Sequence, residues 1–136
     1  MRVRVRNTTR GRELGDRVDL ADWLWPRLRG LIGRPRIESG EGLMIVPCRG
    51  VHMYFMTYPI DVALMDGDGS VVALYRDLAP GARTRWHSDA HHALEVPAGT
   101  LAETSTTLGD RVVWEPLPRR GGRLSQDALE RQGRQN

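Results

Sequence analysis

The 136-residue chain contains one cysteine, one phenylalanine, no lysine and no long hydrophobic run. A lone Cys48 cannot close an internal disulfide, so the fold must be held by burial and hydrogen bonds and suits a reducing compartment. The lack of a long apolar run excludes a membrane-spanning helix. Met1–Arg6 carries charge with no apolar segment behind it, so no secretory signal is read there and a cytoplasmic location is expected. No internal repeat is found. With 40% apolar and 27% charged residues, the composition is that of one soluble globular domain, expected over residues 1–116.

All 20 basic residues are arginine, and the formal charge of +3 conceals an uneven distribution. Residues 1–36 hold ten Arg against Glu13, Asp16, Asp19 and Asp22, a balance of +6. Residues 37–116 come to −6, with five Arg against eleven acids, and residues 117–136 to +3. The globular part is therefore near neutral. Past Pro116 the apolar content collapses, so residues 117–136 are expected to be a disordered Arg-rich tail. A near-neutral domain argues against nucleic acid as the main partner, and the absence of lysine reads as compositional bias.

Arg2 to Asn7 alternates Arg with Val3 and Val5, the period-2 pattern of a half-buried strand. From a possible N-cap at Asp19, Leu20, Trp23, Leu24, Leu28, Leu31 and Ile32 recur at helical spacing and predict an N-terminal helix interrupted near Pro26. Leu43–Val46, Arg49–Met56 and Ile60–Met65 have strand length and content, punctuated by Pro47 and Pro59. Asp66-Gly67-Asp68-Gly69 predicts a tight turn leading into a strand over Ser70–Tyr75. Its resemblance to a calcium loop stops at Val71 and Val72, where oxygen ligands would be needed. Leu78–Asp89 reads as loop and His92–Val96 as strand. Thr100 and Glu103 have capping-box spacing for a short helix over Leu101–Thr106, and Arg111–Glu115 closes the domain as a last strand. The expected fold class is α+β and mainly β: a small antiparallel or mixed barrel-like sheet with one N-terminal helix and a short C-terminal helix.

Taken together, the motifs resemble the domain of unknown function 192 family of small bacterial and archaeal proteins. They are Arg29-Gly30-Leu31-Ile32-Gly33-Arg34, Gly40-Glu41-Gly42-Leu43, His52 with Phe55-Met56, Pro59-Ile60-Asp61, Asp68-Gly69 with Val71 and Val72, Leu94-Glu95-Val96-Pro97-Ala98-Gly99-Thr100, and Leu108-Gly109-Asp110-Arg111-Val112. The interval between Met56 and Pro59 is shorter than in many members, and Thr104–Thr107 is more polar than the usual approach to the Leu-Gly-Asp turn. The resemblance implies a compact, mainly β fold and no established activity.

The chemistry must then come from residues. Cys48 and His52 are four apart, about 13 Å along a regular strand, so a thiol–imidazole pair would need a bulge at Gly50. A buried structural thiol is the simpler reading of Cys48. His52 between Val51 and Met53 would stand at a strand surface, where Asp61 could orient it. Asp61 could equally pair with Arg34, whose planar fork suits a carboxylate. His87, His91 and His92 form a second imidazole group, but no paired Cys or His-Glu spacing accompanies them, so neither a metal site nor a cofactor is assigned. Met44, Met53, Met56 and Met65 suit an adaptable apolar wall or simple core filling. These residues predict a non-enzymatic binding or accessory module taking a small molecule or peptide at His52, Asp61, Arg34, Cys48 and Met56. Two alternatives are a metal- or thiol-dependent enzyme using Cys48, His52 and Asp61, and nucleic-acid binding through the Arg-rich ends.

Overall fold

The computed structural model describes residues 1–21, 36–53 and 56–118. Seven strands form one sheet: β1 Arg2–Asn7, β2 Arg12–Ala21, β3 Glu41–Ile45, β4 Ile60–Met65, β5 Val71–Leu78, β6 His92–Pro97 and β7 Val112–Pro116. Their spatial order is β5-β4-β6-β3-β2-β1-β7. Only β2 and β3 pair in parallel, the other neighbours being antiparallel. The single helix among the described residues, α1, covers Thr100–Glu103.

β4 lies between the edge strand β5 and β6, and all six of its residues are buried. Its period-2 alternation sends Ile60, Val62 and Leu64 to one apolar cluster and Ala63 and Met65 to another on the opposite face. The second cluster draws residues from every strand, including Val3, Val18, Met44, Val71, Leu94 and Val112, together with Leu101 of α1. A face shared by all seven strands requires the sheet to curl around it, giving a half-barrel. The curl brings the two edge strands together at one end, where Ser70 and Arg111 form an antiparallel bridge. Val71 donates its amide to the Asp110 carbonyl at 2.9 Å and accepts that of Gly109 at 2.9 Å. Gly69 sits at this closure with φ +86°, and a β-carbon there would run into the Val112 carbonyl. Across the concave face, the His92 and Trp114 rings meet edge-on with centroids 5.0 Å apart.

The first cluster lies on the convex face and is covered by the 36–53 segment, which contributes Ile37, Cys48, Val51 and Met53. On the concave side of β3, Gly42 lets the neighbouring strand approach closely, because a β-carbon on it would collide with the Glu95 carbonyl and press on Val96.

The structure corrects three local expectations. Asp19 and Leu20 do not open a helix; they lie in β2, which the expected strand set lacked. Residues 22–35, which carry the rest of the expected helix, are outside the described residues. Register shifts between Val3/Val5 and Val5/Arg6 break the alternation of β2, so its buried apolar side chains fall at Leu14, Val18 and Ala21, at helix-like intervals within a bulged strand. Arg49–Met56 is not a sheet strand either: its described part, 49–53, pairs instead with the following loop. Finally, α1 has no capping box. Its N-cap is Gly99, with φ 96° and no side-chain cap within the helix. The expected C-terminal tail beyond Pro118 lies outside the described residues.

Candidate functional site

The 49–53 segment and the 81–87 loop form an irregular antiparallel ribbon. Thr84 N–H donates to the Val51 carbonyl at 2.8 Å, Met53 N–H to the Ala82 carbonyl at 2.7 Å, and His87 N–H to the Arg49 carbonyl at 2.9 Å. The Thr84 hydroxyl oxygen accepts the Val51 amide at 2.9 Å. Period-2 alternation survives within the ribbon, so Val51 and Met53 enter the convex-face core while His52, bridged to Arg83, turns outward. Beside it runs an open groove of about 620 Å³, walled by His52, Arg83, Thr84, Arg85 and Trp86. The Trp86 indole is 72% exposed, unusual for so large an apolar ring. No acid is among the described residues that line the groove, so its arginines favour an anion.

The other residues chosen from sequence are placed differently. Cys48 is buried in the convex-face core, where its thiol donates to the Gly50 carbonyl at 3.1 Å. Met56 packs against the edge of the same core. Arg34 lies outside the described residues. Asp61 is 1% exposed, and its carboxylate accepts three backbone amides: Asp77 at 2.8 Å, Gly99 at 3.0 Å and Leu101 at 2.9 Å. The expected role of orienting His52 is therefore replaced by a structural one. Asp61 caps α1 from a distant strand and ties it to the end of β5, satisfying amides that the helix start leaves without partners. The His91 and His92 rings meet edge-on with centroids 4.9 Å apart while His87 stands against Tyr75 instead, and among the described residues no three His, Cys, Asp or Glu side chains stand close enough to hold a metal ion.

Several chemically distinctive groups escaped the sequence reading. Glu95 lies in the middle of β6, opposite Leu43 and Val62, and is 7% exposed. Burial raises its carboxyl to about 7, with no offsetting donor or cation among the described residues. The available signal was an acid set in the otherwise apolar run from Ala93 to Val96. Tyr75 and His87 form a close pair, with the phenol oxygen 2.7 Å from Nε2. The same oxygen also accepts the Arg85 amide at 3.2 Å, so the phenol joins the His87 ring to the loop backbone. His92 is 8% exposed and its Nδ1 has no hydrogen-bond partner among the described residues. Burial first, and then His91, lowers its pKa, with Asp66 opposing.

A further buried network explains the polar Thr104–Thr107 stretch. Asn7 donates to Thr106 Oγ1 and Asp110 Oδ2, both at 3.0 Å, and the Thr104 and Thr106 hydroxyls meet at 2.8 Å. Arg10 Nε and the Thr107 amide also reach Asp110 Oδ2, each at 3.0 Å. Burial works to raise the Asp110 pKa, but the donors from Asn7, Arg10 and Thr107 outweigh it and hold the carboxyl at about 2.

A family model for a domain of unknown function, DUF192 (Uncharacterized ACR), matches residues 5–114. The chain is 31% identical over 114 residues to a UPF0127 protein of Thermococcus sibiricus, covering 80% of this chain and 73% of the relative. It is 27% identical over 122 residues to a UPF0127 protein of Thermococcus kodakarensis, covering 84% and 74% respectively. Two crystal structures share the fold. One is a protein of unknown function from Novosphingobium aromaticivorans, with TM-score 0.71, 23% identity and 84% coverage of each chain. The other is a Sinorhizobium meliloti protein described as a candidate transcription regulator, with TM-score 0.69, 24% identity and coverage of 83% of this chain and 92% of that one.

Proposed function

This chain belongs to the DUF192 family, and from that premise we propose that it is a binding or accessory module whose ligand, a small molecule or short peptide segment bearing negative charge, lies along the His52 groove. The observation that carries this reading is the composition of the groove wall, which sets His52, Arg83 and Arg85 beside an exposed indole with no acid among them. Arginine offers a planar set of donors to a carboxylate or phosphate, and the indole face supplies apolar contact or stacking. The ribbon is suited to hold such a ligand in place. Val51 and Met53 anchor its underside in the core, so His52 and Arg83 project from a backbone fixed by cross-ribbon bonds.

The same arrangement favours binding over thiol chemistry. A reactive cysteine needs access and a group that stabilises its thiolate. Cys48 is buried and gives its proton to a carbonyl, and the oxygens of Asp61 accept backbone amides.

The test is an NMR titration with a library of acidic tetrapeptides, following the amides of residues 50–52 and 83–86. Saturable shifts confined to those positions are expected, weakened about tenfold or more in His52→Ala and Arg83→Gln with unchanged melting temperature. Shifts that persist unchanged in both variants, or no localised shift with any library member, would reject the groove as the site.

A further inference from the structure

A second groove, of about 730 Å³, runs along the exposed edge strand β5 and is separated from the first by Arg85, which lines both. Its walls include Val72, Tyr75, Arg76, Arg85, His87 and Leu108. Two features set it apart from ordinary surface. Two exposed arginines flank it, with no acid among the described residues of its lining. Leu108, 64% exposed, and the half-buried Val72 supply apolar surface next to those charges. Between them stands the Tyr75–His87 pair, with the phenol oxygen 2.7 Å from Nε2 and also accepting the Arg85 amide.

We propose that this groove is a separate binding site for a small amphipathic anion, with its carboxylate or phosphate held between Arg76 and Arg85 and its apolar body laid against Val72 and Leu108. The geometry suits a head-and-body ligand because charge and apolar surface lie side by side along one strand edge. Arg85 presents its guanidinium from the loop, and Arg76 from β5, where its present bond to the Thr106 carbonyl is long at 3.4 Å and easily exchanged for a charged acceptor. The Tyr75–His87 pair fixes the wall between the arginines, since the Arg85 amide donates to the same phenol oxygen. This site uses neither His52 nor Arg83.

The experiment is a titration of the full chain with octyl phosphate below its micelle concentration, read from the Arg Nε–H and His87 ring-nitrogen signals. Inorganic phosphate and octyl glucoside serve as the head-only and neutral-head controls. Saturable octyl phosphate binding, followed at the His87 ring nitrogens, is expected, about tenfold weaker in Arg76→Gln and in Arg85→Gln. Inorganic phosphate should bind at least about tenfold more weakly, because it forgoes the apolar contact. Equal binding of octyl glucoside, or octyl phosphate binding insensitive to both Arg76→Gln and Arg85→Gln, would overturn the proposal. Loss in Arg83→Gln alone would return the anion to the His52 groove and also overturn it.

Discussion

Glu95 and Asp61 are both buried acids on adjacent strands, β6 and β4, yet their surroundings give them opposite chemistry. Asp61 is met by three amides and serves as a remote helix cap. Glu95 is met by apolar neighbours, and burial alone pushes its carboxyl to about 7. The sign of the consequence follows from the unfolded value of 4.5. Below that pH both states hold the proton and Glu95 imposes no penalty. As pH rises from 4.5 to about 7 the unfolded chain releases its proton first, so folding loses stability, and above 7 the loss is complete. The shift corresponds to about 3 kcal/mol. Urea midpoints measured from pH 4.5 to 8 should fall for the native sequence and stay nearly flat for Glu95→Gln. Parallel curves for the two proteins would show that Glu95 is ionised in the folded state. None of this could be read from residue types, because Glu and Asp in strands of similar composition look alike until their neighbours are known.

Among the elements, the connection between β1 and the turn before β7 is held by polar groups more than by apolar packing. Asn7 is fully buried and shares its amide between Thr106 and Asp110, while Arg10 and Thr107 complete the acid's partners. Replacing Asn7 with Ala leaves both acceptors short of a buried donor and should cost about 2 kcal/mol, measured by chemical denaturation. A loss below about 0.5 kcal/mol would place this network at the surface in energetic terms. The polar Thr104–Thr107 stretch, a departure from the usual approach to the Leu-Gly-Asp turn, belongs to this network. The outward histidine between two inward apolar residues was legible at His52, since alternation survives even where the expected sheet strand becomes a ribbon. β2 was not legible. Two register shifts change the phase of its apolar residues, and a pattern of Leu14, Val18 and Ala21 resembles a helix face when read without its partner strand.

For the whole molecule, the buried ionisable groups combine into one pH profile. His92 has a lowered pKa, so it stabilises the fold when neutral, and that contribution is lost as pH falls below its ordinary value of 6.5. Asp110, held at about 2 against an unfolded 3.8, contributes fully above 3.8 and is lost as pH falls through about 2. Glu95 acts in the opposite direction, above 4.5. The melting temperature should therefore peak at mildly acidic pH, decline towards neutrality through Glu95 and fall steeply in strong acid through Asp110. A maximum above pH 8 in differential scanning calorimetry would contradict the placement of Glu95. The half-barrel itself makes these groups matter, because a curled sheet buries both faces of its central strands and leaves their few polar side chains little water to fall back on.

Hydrophobic alternation and turn chemistry, both local properties, were enough to identify β1, β3, β4, β5, β6, β7 and the Asp66–Gly69 turn, to within a few residues at their ends. They also set the mainly β class and pointed to an outward His52. The tertiary structure alone decided what each polar residue meets: amides for Asp61, apolar neighbours for Glu95, a phenol for His87 and a loop partner for the His52 segment. The physical reason is separation along the chain. A residue's own period records which face it occupies, whereas its partner on that face is brought there by strands many residues away, and the function of a polar group resides in that partner.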